Sequence, residues 1–113
     1  MLDDGWFGNR DDDTQSLSEW EVDPRKYPGG LTPLIDHVKS SGMSFGIWFE
    51  PEMINQNSDI FRAHPDWALG GEDQIMGRQQ MALNMALPAA QSFLFERISD
   101  ILSRHDIEYI NCD

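Results

Sequence analysis

The sequence predicts an α/β protein in which helices and strands alternate, and three observations carry that prediction. Apolar residues recur at helical spacing in 31–41 and 88–105, compact apolar runs occupy 43–49 and 107–112, and the connections are rich in Gly, Pro, Asn and Asp. Helix–strand–helix–strand order favours parallel pairing through right-handed crossovers, either in an open doubly wound sheet or in part of a (β/α)8 barrel. Periodicity alone leaves both open.

Taken in order, residues 1–3 read as the tail of a strand. Residues 4–30 are polar and turn-rich, with Asp-Pro and Pro-Gly-Gly punctuation, and read as a long loop. Residues 31–41 carry Leu34, Ile35 and Val38 at helical spacing, hold Pro33 in the first turn where a missing N–H is harmless, and stop at Gly42. In 43–49, Phe45, Ile47 and Phe49 alternate against Ser44, Gly46 and Trp48, and Pro51 stops the ladder. Residues 58–64 can cap and form one or two helical turns before Pro65; residues 80–85 read as a weaker extended segment. The best-supported element is a helix over 88–105, with Pro88 at its first position and Leu94, Ile98, Ile101 and Leu102 on one face; a strand over 107–112 follows. About three strands and two main helices cannot close a barrel, which takes ~250 residues. The sequence therefore reads as part of a larger domain, with strand edges and apolar faces that leave it poorly stable by itself.

Composition narrows the function. Asp and Glu number 20 against 8 Lys and Arg, a net charge of −12 that repels phosphate backbones and acidic lipid surfaces, so neither nucleic acid nor membrane is an expected partner. No apolar run is long enough to span a bilayer and no secretory signal opens the chain. The single Cys112 excludes an internal disulfide. Asp11-Asp12-Asp13 lacks the alternating ligands and distal Glu of a calcium loop, and His37, His64 and His105 lack metal-ligand spacing, so no metal and no cofactor is expected. No phosphate-loop pattern surrounds Gly29-Gly30 or Gly70-Gly71.

In a parallel β/α architecture, active groups collect at the carboxyl ends of strands. Three such ends carry carboxylates: Asp3-Asp4-Gly5-Trp6, Trp48-Phe49-Glu50-Pro51-Glu52 and Cys112-Asp113. Acids accept hydrogen bonds from sugar hydroxyls, indole faces pack on sugar C–H groups, and a positioned carboxylate can attack an anomeric carbon. The same residues have a purely structural reading, with Asp3 and Asp4 in a turn, Trp48 in a core and Asp113 ending a strand.

These strand-end motifs resemble glycoside hydrolase family 36, the α-galactosidases common in bacteria. The resemblance rests on Leu2-Asp3-Asp4-Gly5-Trp6-Phe7-Gly8, Gly46-Ile47-Trp48-Phe49-Glu50-Pro51-Glu52-Met53, His64-Pro65-Asp66-Trp67, Gly77-Arg78-Gln79-Gln80 and Tyr109-Ile110-Asn111-Cys112-Asp113, whose order runs the whole chain. It implies a (β/α)8 TIM barrel behind an N-terminal β-sandwich domain, with residues 1–113 covering roughly the end of strand 2 to the end of strand 4. It further implies hydrolysis of terminal α-D-galactosides by a retaining double displacement, with an α-galactoside oligosaccharide as partner and no cofactor. Asp113 matches the catalytic nucleophile. Asp3 and Asp4 match the pair that binds galactose hydroxyls, Trp48 an aromatic wall of the sugar site, and Arg78 a substrate-contacting arginine. Glu50 and Glu52 match no proton-transfer role, and the general acid comes from a later strand, so the segment alone is expected to be inactive. Family members are often cytoplasmic homo-oligomers, which is the expectation here.

Three positions depart from the pattern. Asn111 stands where the family usually has a sugar-contacting lysine, keeping a donor and losing a charge. Asn84 stands where aspartate is frequent, and Cys112 where tryptophan is common. The alternatives within the family are an α-N-acetylgalactosaminidase or a galactosyl transferase; outside catalysis, the alternative is a degenerate barrel that binds α-galactosides without cleaving them.

Overall fold

A computed structural model of the chain describes residues 1–69 and 80–113. Three parallel segments form its centre. Strand β1 (Gly46–Phe49) lies in the middle, paired in parallel with a later strand, Tyr109–Cys112, in the register Gly46 to Tyr109 through Phe49 to Cys112. On its other side Leu2 bridges Ile47 in parallel: the Leu2 N–H donates to the Gly46 carbonyl at 2.8 Å and the Trp48 N–H to the Leu2 carbonyl at 3.0 Å. The parallel pairing expected from element order is present, and the tail of a strand at residues 1–3 is reduced to this bridge.

Helix α1 (Thr32–Ser40) connects the first segment to β1. Its end is a Schellman closure: the Met43 N–H donates to the Val38 carbonyl at 3.3 Å and the Gly42 N–H to the Lys39 carbonyl at 3.0 Å, with Gly42 at φ +80°. That left-handed turn is why the helix stops where glycine stands. The strand expected over 43–49 begins only at Gly46, and 45–50 are buried on both faces. Burial on both faces is what a central parallel strand requires, since it is covered on each side.

The ladder of β1 ends at Phe49, ahead of Pro51 as expected; after a turn at Pro51 and Glu52 a further extended segment begins that was not expected from the sequence. Strand β2 (Met53–Asn55) pairs antiparallel with β3 (Gln80–Ala82), and Ala68 bridges Leu83 on the far side of β3. This small second sheet stands on the carboxyl side of β1. Between its strands lies α2 (Asp59–Ala63), capped by Ser58, whose Oγ accepts from the Phe61 N–H at 3.1 Å. A 3-10 turn, Pro65–Trp67, follows where Pro65 forbids continuation. Helix α3 (Pro88–Arg104) then buries Ala90, Leu94 and Ile101 and leads to β4, the strand Tyr109–Cys112.

The long loop over 4–30 is folded rather than draped. Trp6, Phe7, Leu17 and Trp20 have no exposed surface and pack on β1: Trp6 and Trp20 meet Phe49 edge-on at 5.4 and 5.3 Å between ring centroids. The Trp6 indole N–H donates to the Trp48 carbonyl at 2.9 Å. Asn9, Ser16, Ser18 and Trp20 all have positive φ, which lets the loop double back on itself to deliver both tryptophans to one cluster.

Candidate active site

The carboxyl ends of the three parallel segments lie side by side, and each ends in the carboxylates singled out from the sequence. Because Leu2 pairs with Ile47 and Ile47 with Ile110, the next layer contains Asp3, Trp48 and Asn111. The ladder persists one step further, where the Asp113 N–H donates to the Phe49 carbonyl at 3.0 Å. Asp113 is thereby held by its backbone next to the strand that carries Trp48 and Glu50. Asp3, Asp4 and Asp113 are exposed, whereas Trp48 is 5% exposed and lies edge-on to Trp20 at 6.1 Å. Arg78 lies outside the described residues.

Asp4 has a partner that sequence reasoning missed. The buried Arg10 grips it in a parallel fork, Nε to Oδ1 at 3.0 Å and Nη2 to Oδ2 at 2.8 Å. Arg10 Nη1 also donates to the Gln15 carbonyl at 2.8 Å and to Asn55 Oδ1 at 3.0 Å. The readable signal was a lone cation between an acidic pair and an acidic run, in a loop with no other basic residue until Arg25. Asp3 is held locally, its Oδ1 accepting from the Asp4 N–H at 2.8 Å.

Glu50 is buried and accepts from Gln80 Nε2 at 3.1 Å, tying the end of β1 to β3. Farther back in the same loop, hydrogen bonds from Arg25 hold the buried Asp23 carboxyl down to about 2. Glu19 shows the opposite balance. Burial raises its pKa although it accepts hydrogen bonds from the Asp59 and Ile60 N–H groups at the start of α2. Among the described residues, no group of three or more His, Cys, Asp or Glu side chains is arranged to hold a metal ion, and no helix is long and apolar enough to cross a membrane.

A surface with carboxylates at three adjacent strand ends, an asparagine donor between them and a guanidinium behind one of them can accept hydrogen bonds from several hydroxyls at once. It also presents an exposed carboxylate, Asp113, from a backbone fixed on the ladder, which suits nucleophilic attack.

Comparison with known proteins places the chain in a family. An α-galactosidase from Escherichia coli is 50% identical over the whole chain, which spans 16% of that protein's length. The crystal structure of the GH36 α-galactosidase AgaB from Geobacillus stearothermophilus matches 99% of the chain and 16% of its own, at 44% identity and a TM-score of 0.93. A variant of α-galactosidase AgaA from the same organism, solved in complex with raffinose, matches equal shares at 43% identity and a TM-score of 0.91. The melibiase family model matches residues 1–113 in full. With strand-end carboxylates in place and every residue inside the family match, the chain belongs to the melibiase family of GH36 α-galactosidases.

Proposed function

We propose that residues 1–113 form part of a (β/α)8 catalytic barrel, roughly from the end of its second strand to the end of its fourth, in an enzyme that hydrolyses terminal non-reducing α-D-galactosides with retention. The observation that carries this reading is the convergence of Asp3 and Asp4, Trp48, and Asn111 and Asp113 on three adjacent parallel strand ends. The raffinose complex of the AgaA variant supports an oligosaccharide of the same class as substrate.

In the proposed mechanism the galactosyl ring docks with its hydroxyls on Asp3 and Asp4 and on the Asn111 amide. The Asp113 carboxylate attacks the anomeric carbon as the glycosidic C–O bond breaks, and a general acid from outside these residues protonates the leaving oxygen. The resulting β-galactosyl ester is hydrolysed by water, which the same acid, now a base, deprotonates; Asp113 is released and configuration is retained. Retention requires that second carboxyl about 5–5.5 Å from Asp113. Trp48 offers little area in this chain, and its place beside Asn111 in the register is what supports it as an aromatic wall. Arg78 joins the site on family resemblance alone.

The test is release of an aryl group from an aryl α-galactoside by the full-length protein, beside its Asp113→Gly variant. Loss of turnover in the variant, restored by azide with formation of β-galactosyl azide, establishes both substrate and nucleophile. A full-length protein that binds galactose and cleaves nothing overturns the hydrolase reading in favour of a binding barrel, the outcome to which Asn111 in place of lysine would contribute.

A further inference from the structure

We propose that Arg10 is a positioning residue that sets the affinity of the site for the galactosyl ring by fixing the carboxylate of Asp4. The inference rests on the α-galactoside reading above and extends it to a residue in the interior of the loop. Arg10 is 4% exposed, and its guanidinium spends four hydrogen bonds on three fixed groups: two on Asp4, one on the Gln15 carbonyl and one on Asn55 Oδ1. Asn55 is itself fully buried and held, its Oδ1 accepting from the Leu17 N–H at 2.8 Å. The Phe7 ring lies 5.7 Å from the guanidinium carbon. The plane of the guanidinium is therefore set by groups from the loop and from β2 before any ligand arrives.

A planar fork transmits its plane to the carboxylate it grips. The Asp4 side chain is 37% exposed, so its side away from Arg10 faces solvent. Each carboxylate oxygen has two acceptor positions, and the fork takes one on each. What remains is one free acceptor per oxygen, pointing in a fixed direction, which is the arrangement that accepts two neighbouring sugar hydroxyls. Without the fork, an aspartate on a turn would have to be ordered by the sugar itself, which weakens binding. The same guanidinium links the carboxyl end of the first strand segment to the buried Asn55 of β2.

Galactose affinity, and kcat and KM on an aryl α-galactoside, measured on full-length Arg10→Lys provide the test, with Asp4→Asn and the double variant completing a cycle. Lysine keeps the charge and loses the fork. Arg10→Lys should weaken galactose binding and raise KM about tenfold or more while changing kcat much less. The loss should nearly vanish in the Asp4→Asn background, where no anion remains to be oriented. Arg10→Ala should recover part of the binding when guanidinium ions are supplied. Unchanged galactose affinity, an equal loss in both backgrounds, or an effect confined to thermal stability overturns the proposal. So does failure of every Arg10 variant to fold, which would make the residue one of stability alone. A parent that neither binds nor cleaves α-galactosides takes the inference down with the substrate reading. A failure of the inference alone appears only among variants of an active parent.

Discussion

One methyl group added at Gly46 tests the strand pairing that assembles the site. Gly46 opens β1 opposite Tyr109 of β4. A Cβ there would lie 2.6 Å from Tyr109 Cδ1, 3.2 Å from its Cβ and 3.2 Å from its carbonyl oxygen. Rotation of the Tyr109 ring, which belongs to an exposed residue, relieves the first contact. The other two involve atoms fixed by the backbone, so the strands must part by a few tenths of an ångström. Overpacking of this kind costs about 1–3 kcal/mol, and a ladder of only four residue pairs has little length over which to spread it. In the full-length protein, Gly46→Ala should lower the urea midpoint with the m-value unchanged. It should also lower kcat/KM, because the same two strands carry Trp48 and Asp113. Tyr109→Ala removes the ring contact and leaves the other two, so in that background Gly46→Ala should cost less but still cost. An unchanged midpoint, or complete relief by Tyr109→Ala, would refute the geometry.

Three further outcomes follow from packing and charge. Ser58→Ala removes the α2 cap and a buried hydroxyl that donates to the Asn55 carbonyl at 2.8 Å, and should cost about 1–2 kcal/mol in a denaturant melt. Phe49→Ala empties the centre of the aromatic cluster and should cost about 3–5 kcal/mol, with a change in tryptophan fluorescence. Asp23 titrates near 2 in the folded chain against 3.8 ordinarily, so its contribution is present above about pH 4 and is lost as pH falls through about 2. Screening at the exposed Arg25 limits it to about 1 kcal/mol. Asp23→Asn should flatten the acid arm of the stability profile in that window, and an unchanged acid arm would remove Asp23 as its cause.

The elements that were legible in the sequence are those whose signals are local. Pro33 and Gly42 bracket α1 and Pro88 opens α3 because each acts through its own backbone. The strand-end carboxylates were legible because a β/α order puts such residues at one edge. β3 fell within the weaker extended segment expected over 80–85, whereas β2 was missed: it is three residues long, too short for an alternation to register, and sits just past a proline. Arg10 was missed for a different reason, since its isolated charge was readable but its partners were not. Its partners Asp4, Gln15 and Asn55 are 6, 5 and 45 positions away, and only the folded loop brings them to one guanidinium. The aromatic content of the loop was in plain view, yet its polar residues and turns masked it as connection rather than core.

That loop core has a consequence for how such an enzyme could change its substrate range. Residues 4–30 are rooted by Trp6, Phe7, Leu17 and Trp20, while Asp11, Asp12 and Asp13 at its far bend are exposed. Variation is cheap at the bend and expensive at the root. A loop transplanted from a relative would carry its own aromatic knobs and would need a matching Trp48 and Phe49 in the recipient strand. Loop and strand are therefore inherited as one cassette, and new specificities should arise by insertion at the acidic bend more readily than by exchange of the whole connection.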